Sequence, residues 1–187
     1  MYFIADNVED ETYEYLKKLC YNNQIFRTNL GNTGSFKFAL DLALKNNDED
    51  VIYFVEDDYL HREGSEKVLL EGFEKADYVS MYDHPDKYMS PSPNPFVKNG
   101  SELSRVFLTK STHWKKTNST CMTFASKVKT LKEDYKVFID LWHSFRIFTH
   151  LNNEKGRTLI TPIPGYSSHC MTEFLAPLID WELEIGF

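Results

Sequence analysis

Three consecutive acids, Glu56-Asp57-Asp58, follow directly on the apolar run Val51-Ile52-Tyr53-Phe54-Val55. Carboxylate oxygens are hard donors suited to Mg2+ or Mn2+, and those ions commonly bridge one or two protein carboxylates to a substrate diphosphate. A short unbroken apolar run reads as a central strand covered on both faces. Ligands of open α/β sheets bind beyond the carboxyl ends of such strands, so the acids stand where a ligand would sit. The expected chemistry is that of a metal-dependent enzyme acting on a nucleotide diphosphate. The alternative is an acidic loop that caps a solvated strand end.

The elements around this junction must position it. Tyr2 to Ala5 reads as a strand ended by Asp6-Asn7, and the acids after it suit the first turn of a helix that carries Tyr13, Leu16, Leu19 and Cys20 on one side. Gln24 to Arg27 is a second strand entering the turn-rich segment Asn29 to Ser35. Phe36, Ala39, Leu40, Ala43 and Leu44 then repeat at helical spacing. Beyond the acids, Ser65 is the expected N-cap of a helix burying Val68, Leu69 and Phe73, and Tyr78 to Tyr82 returns as a strand. This alternation predicts an α/β fold with a mostly parallel central sheet flanked by helices on both faces.

The second half of the chain reads differently. From Asp83 to Ser104, Pro85, Pro91, Pro93 and Pro95 lie among Asn and Ser. They predict a long surface loop, mobile without ligand and ordering over it. Arg105 to Trp114 and Asn118 to Phe124 read as a β-hairpin or paired strands. Val128 and Leu131 mark one helix, and Phe138, Leu141, Trp142, Phe145 and Phe148 mark another that Gly156 ends. Thr158 to Thr161 is a last strand, and Thr172 to Glu184 is part helix.

A length of 187 residues, 42% of them hydrophobic, supports one domain with a substantial core. A formal charge of −7 without any polybasic block argues against nucleic acid as a partner. No apolar run reaches the length of a transmembrane segment, and Met1 to Asp6 lacks the regions of a signal peptide, so a cytoplasmic protein is expected. Cys20, Cys121 and Cys170 are far apart and in no metal-ligand spacing. They read as reduced, mostly buried thiols.

Taken in order, the motifs resemble a GT-A glycosyltransferase. They are Asp6 ending an early strand, Gly31-Asn32-Thr33-Gly34 opening a helix, the DxD-type Glu56-Asp57-Asp58, an acidic helix from Asp134 to Asp140, and His169 after a strand. The likeness is greatest to the family-2 enzymes that use nucleotide-diphosphate sugars, and it covers nearly the whole chain. It implies a single domain over 1–187, with a nucleotide-binding half at about 1–82 and an acceptor-side half at about 83–187. By the resemblance, Asp6, Asn32 and Gly34 serve the nucleotide and Asp57 the ribose side, while Asp58, Glu56 and His169 hold Mn2+ or Mg2+. The implied donor is a UDP- or GDP-sugar, and the implied acceptor is a hydroxyl on a glycan. Family members begin with one more strand, which this chain lacks.

An inverting transferase needs a carboxylate to take the acceptor's proton. The candidates are Asp140, Asp134 and Glu173. Asp140, between Ile139 and Leu141, is expected to be partly desolvated and so suited to base work; otherwise it is a surface aspartate paired with Lys136. His84, at the start of the proline-rich segment, is a candidate for the sugar or acceptor site. Two other function classes remain open: a degenerate GT-A-like binding module without catalysis, and a sugar nucleotidyltransferase, although the Gly-rich basic segment of the latter is not seen.

Overall fold

The structure is a computed structural model that describes residues 1–184 and 186. It divides into two compact units, Met1–Asn47 and Asp48–Phe187.

In the first unit, β1 (Phe3–Asp6) and β2 (Ile25–Thr28) pair in parallel from Phe3↔Ile25 to Asp6↔Thr28. Parallel neighbours need a crossover, and α1 (Asp10–Leu16) with a 3-10 turn at Asn22–Gln24 supplies it. The following helix, α2 (Gly31–Ala43), starts well before Phe36, so the turn-rich segment forms its first turns. Gly34 is required there by close approach, since a Cβ on it would lie 2.7 Å from Leu30 Cβ.

The second unit contains β3 (Val51–Phe54), β4 (Tyr59–His61), α3 (Ser65–Gly72), β5 (Tyr78–Val79), β6 (Val97–Lys98), β7 (Ser101–Glu102), β8 (Val106–Leu108) and β9 (His113–Lys116). It continues with β10 (Phe124–Lys127), α4 (Val128–Asp140), α5 (Ser144–Lys155), β11 (Leu159–Ile163), β12 (Ser167–His169) and α6 (Trp181–Glu184). Its central sheet has the order β3-β10-β5-β11-β9-β8. Successive strand residues point to opposite faces. Val79 and Ala125 therefore pack with Val68 and Leu69 of α3, while Tyr78 and Phe124 meet Phe138 of α4 and Phe148 of α5 on the other face. Each such aromatic contact adds about 0.5–1.5 kcal/mol beyond the area it buries. Gly72 lets α3 sit down on the sheet, because a Cβ there would come within 2.8 Å of Val79 Cγ2.

The α/β class and the helices on both faces hold, but the expected mostly parallel sheet is corrected. Only β5 and β11 run parallel within the central sheet; the other pairings are antiparallel. The cause is β10, which inserts antiparallel between β3 and β5 and so separates two strands that a simple β-α-β crossover would have made neighbours. The hairpin also moves: β8 and β9 pair around Thr109–Thr112, and β10 leaves that edge altogether. Gly64, not Ser65, caps α3. The two C-terminal helices divide at Leu141 to His143, which gives Phe138 to α4.

The 83–104 segment is not a loose loop. It carries a 3-10 turn at Pro85–Tyr88 and the β6–β7 hairpin, and buried ions fasten it to the sheet. Lys115 Nζ of β9 lies 2.9 Å from Asp83 Oδ1 and 3.3 Å from Glu102 Oε2, with all three side chains at most 7% exposed. Tyr88 donates to Asp83 Oδ2 at 2.6 Å and accepts from Lys115 at 3.0 Å. Lys87, 1% exposed, donates to Asn118 Oδ1 at 2.7 Å and Ser119 Oγ at 2.9 Å. Buried charge is tolerated only when paired and hydrogen-bonded, so these contacts hold the segment in one place.

Candidate functional site

The chain leaves β3 at Phe54, passes through Val55 and the acids, and re-enters a ladder as β4, which pairs antiparallel with β12 (Ser167↔His61, His169↔Tyr59). Cys170 N–H donates to the Asp58 carbonyl at 2.7 Å, which extends that register by one step. The ladder hangs from the carboxyl end of β5, because both Tyr166 and Ser167 donate backbone N–H groups to the Met81 carbonyl at 2.9 Å. Asp58 and His169, far apart in sequence, thereby face each other beyond the carboxyl end of β3.

His169 Nε2 lies 3.0 Å from Asp58 Oδ2. Met171 N–H donates to Nδ1 at 3.3 Å, so the proton of the neutral ring belongs on Nε2 and points at Asp58. As placed, His169 orients the carboxylate and presents no spare lone pair to an ion. The other oxygen, Asp58 Oδ1, is buried with no hydrogen-bond partner among the described residues. Burial, and after it repulsion from Asp58 and Asp57, pushes the Glu56 carboxyl above its ordinary range. Asp57 is exposed.

Among the described residues, no three His, Cys, Asp or Glu side chains form a group that would hold a metal unaided. The donors fit a different arrangement, in which Mg2+ or Mn2+ takes one or two carboxylates and leaves the remaining positions to water and substrate phosphates. An orphaned Asp58 Oδ1, with Glu56 disfavoured as an anion beside it, is chemistry that such an ion would relieve.

Behind this pair, Tyr59, Tyr82, His84, Phe174 and His169 form a closed circuit of ring contacts, with centroids 5.1–5.7 Å apart. The Tyr82 hydroxyl donates to the Phe174 carbonyl, and Ala176 N–H donates to Ser168 Oγ at 2.8 Å, which fixes the turn that carries Phe174. His84 Nδ1 lies 3.1 Å from Asp86 Oδ1. Burial pulls the His84 imidazole down, but hydrogen bonds and charge from Asp86 and Cys121 outweigh it and raise it to about 9. Sequence reasoning missed Tyr59, Tyr82, Phe174, Asp86 and Cys121. The available signal was position: Tyr59 follows the acids directly, and Tyr82 and Asp86 flank His84.

The remaining candidates belong to the first unit or to other parts of the second. In the first unit, Asp6 Oδ1 accepts from Thr28 Oγ1 and Leu30 N–H, both at 2.7 Å, and Oδ2 accepts from Asn7 Nδ2 and Gly31 N–H, both at 2.9 Å. A carboxylate has about four acceptor positions, so Asp6 is fully used in anchoring the start of α2. These bonds, led by that from Leu30, hold its carboxyl below the ordinary range. Asn32 and Gly34 lie in the first turns of α2.

Asp134 is completely buried. It accepts from Tyr78 OH at 2.7 Å, Lys155 Nζ at 2.7 Å and Arg157 Nε at 2.8 Å. Tyr78 begins β5, so this cluster lies at the end of the sheet opposite the acids, and Asp134 knits α4 to the sheet. Asp134→Ala is expected to cost about 1–3 kcal/mol by leaving the buried Tyr78 hydroxyl without its acceptor, measured by urea denaturation. A change within about 0.5 kcal/mol would contradict that role.

The expected desolvation of Asp140 is corrected. It ends α4, is half exposed and pairs with Lys136, because the helix stops before Leu141 and Trp142 can cover it. Glu173 is exposed on the 3-10 turn Thr172–Phe174, whose Phe174 packs on both His84 and His169. The cysteines are free, but none is fully buried: Cys20 and Cys121 are partly exposed and Cys170 is exposed.

No helix among the described residues is long and apolar enough to cross a membrane. No family model matches the chain, and no curated protein matches it. Solved structures do include similar chains, among them the crystal structure of A197 from STIV, at 16% identity and a TM-score of 0.47, over 94% of this chain and 88% of that one.

Proposed function

We propose that the second unit carries the diphosphate and cation site of a metal-dependent glycosyltransferase, which moves a sugar from a UDP- or GDP-sugar to a hydroxyl acceptor such as a glycan. The observation behind this reading is the Asp58–His169 pair beyond the carboxyl end of β3, with Asp58 Oδ1 buried and unpartnered. Asp58 is the principal ligand, Glu56 the second carboxylate, and His169 the group that fixes the Asp58 carboxylate through its Nε2–H. When bound, Mn2+ or Mg2+ supplies charge neutralisation for the departing diphosphate. Asp57, exposed beside them, is left for the ribose. The nucleoside roles of Asp6, Asn32 and Gly34 rest on the resemblance alone.

Of the three carboxylates considered as the base, Asp134 is committed to its ion cluster. Asp140 and Glu173 remain, and Glu173 has the advantage of lying on the turn that packs against His169.

The reading is tested by incubating the chain with UDP- and GDP-sugars and measuring release of free UDP or GDP. Release that requires Mn2+ and stops with EDTA is expected. Metal-dependent nucleotide binding without release would indicate a binding module, and neither binding nor release would overturn the proposal.

A further inference from the structure

The outer edge of the central sheet is open. β8 ends the strand order, and its odd-numbered residues turn their backbone groups inward to β9. Lys116 N–H donates to the Arg105 carbonyl at 3.2 Å and Thr109 N–H to the Thr112 carbonyl at 3.1 Å, on either side of the Phe107↔Trp114 pair. In an antiparallel ladder such hydrogen-bonded pairs alternate with pairs whose N–H and C=O groups point away. Val106 and Leu108 therefore aim four backbone groups outward, and among the described residues no other backbone group bonds to them.

Natural sheets block an open edge with lysine, proline or a bulge. β8 is Val-Phe-Leu in regular register with β9 and has none of these. Its outward residues are as open as their backbone, Val106 at 56% and Leu108 at 61% exposed, with Leu103 at 97% just before them.

The edge also carries two opposite charges. Phe107 packs on the core beneath α3 with Val68, Leu69 and Trp114, and Arg105 and Thr109, two residues to either side, share its face. Arg105 is exposed. The Thr109 hydroxyl donates to Glu71 Oε2 of α3 at 2.8 Å, and Ser111 donates to the same carboxylate through its N–H at 3.0 Å and its hydroxyl at 2.6 Å. These three donors are neutral, and a carboxylate has about four acceptor positions. The cation thus stands at one end of β8 and the carboxylate at the other.

We propose that β8 pairs antiparallel with β8 of a second copy of this chain about a dyad at Phe107, so that the two central sheets join into one. In this register Val106 of each copy stands opposite Leu108 of the other, and all four outward backbone groups of each strand are used. A shift of two residues either way pairs one outward residue with a residue outside β8. Arg105 comes directly across from Thr109 of the other copy in a non-hydrogen-bonded pair, the closer kind, within reach of that copy's Glu71. The pair beyond it, Ser104 with Lys110, brings no like charges together. This charge match is what favours a second copy over a strand of another protein: an antiparallel copy brings each cation to a carboxylate, twice. The pairing uses no residue of the Asp58 site and is independent of the transferase reading.

The test is sedimentation equilibrium of the whole chain from about 1 μM to 1 mM, the range in which small interfaces associate, with hydrogen exchange followed by NMR at both ends of that range. The mass is expected to rise from that of one chain to that of two. The Val106 and Leu108 amides should slow by about tenfold or more as the dimer fills, while the Phe107 amide, turned toward β9, stays slow throughout. Leu108→Lys, at an exposed position, should weaken association at least about 10-fold at an unchanged melting temperature. Arg105→Glu, which sets an acid against Glu71 of the other copy, should weaken it by a similar factor. A chain that keeps the mass of one copy at the highest concentration would overturn the proposal. A dimer that forms equally well with Leu108→Lys would overturn it by placing the interface elsewhere, and slow Val106 and Leu108 exchange in the monomer would do so by showing that the edge is already covered.

Discussion

Lys115→Met is expected to destabilise the chain by about 3–5 kcal/mol, the cost typical of removing one partner from a buried ion cluster. Methionine fills most of the space of the lysine stem, so packing loss is small and the effect isolates charge. Without the ammonium, Asp83 and Glu102 are left at 2% and 7% exposure with no cation bonded to Asp83. Tyr88 loses the lysine that lies over its ring at 4.5 Å and donates to its hydroxyl. For a chain of this size the change corresponds to roughly 10 °C or more in melting temperature. Combining Lys115→Met with Asp83→Asn and Glu102→Gln should recover a large part of the loss, because a neutral network no longer leaves buried charge unpaired. A melting temperature within about 2 °C of wild type for Lys115→Met would show that the cluster does not fasten the 83–104 segment.

That segment shows where the sequence was readable and where it was not. Its prolines led to the expectation of a long surface loop, but a 3-10 turn and the short β6–β7 ladder form there. Its charged residues, however, look like surface when read in order. Asp83, Lys87 and Glu102 become buried only because Lys115, Asn118 and Ser119 meet them from a distant stretch of chain. Local composition carries no record of that meeting. The strand neighbours were hidden for the same reason. Side chains alternate between the two faces along Val51–Phe54, Tyr78–Val79 and Phe124–Lys127, but nothing in those residues tells that β10 runs between the other two.

Asp134 is a case in which a signal was present. Leu131, Asp134 and Phe138 lie at helical spacing on one face of α4, so the aspartate occupies a position in the apolar stripe and its burial was legible. Asp140 was judged by its apolar neighbours in sequence. On a helix adjacent residues point in different directions, and Ile139 and Leu141 do not cover it. The acids after β3 were the most legible feature, because an apolar run that ends in charge is a local pattern, but the expected central strand covered on both faces is corrected: β3 is an edge strand of its sheet, and of its residues only Phe54 is buried. The partner of Asp58 is supplied by the β4–β12 pairing, where His169 stands across from Tyr59.

The central claim is that Asp58 holds a divalent cation together with a nucleoside diphosphate. Asp58→Asn removes one negative charge at almost constant shape, and the amide oxygen can still accept from His169 Nε2–H, so the fold should be kept. Loss of the carboxylate should weaken Mn2+ by at least about 100-fold, since changes to outer-shell partners of metal ligands alone cost 10- to 100-fold. The direct measurement is electron paramagnetic resonance of free Mn2+ during titration with the protein in the presence of UDP or GDP. The account predicts that the free-ion signal falls with wild-type protein and nucleotide together and stays unchanged with Asp58→Asn at an equal melting temperature. Equal loss of signal with both proteins would contradict it.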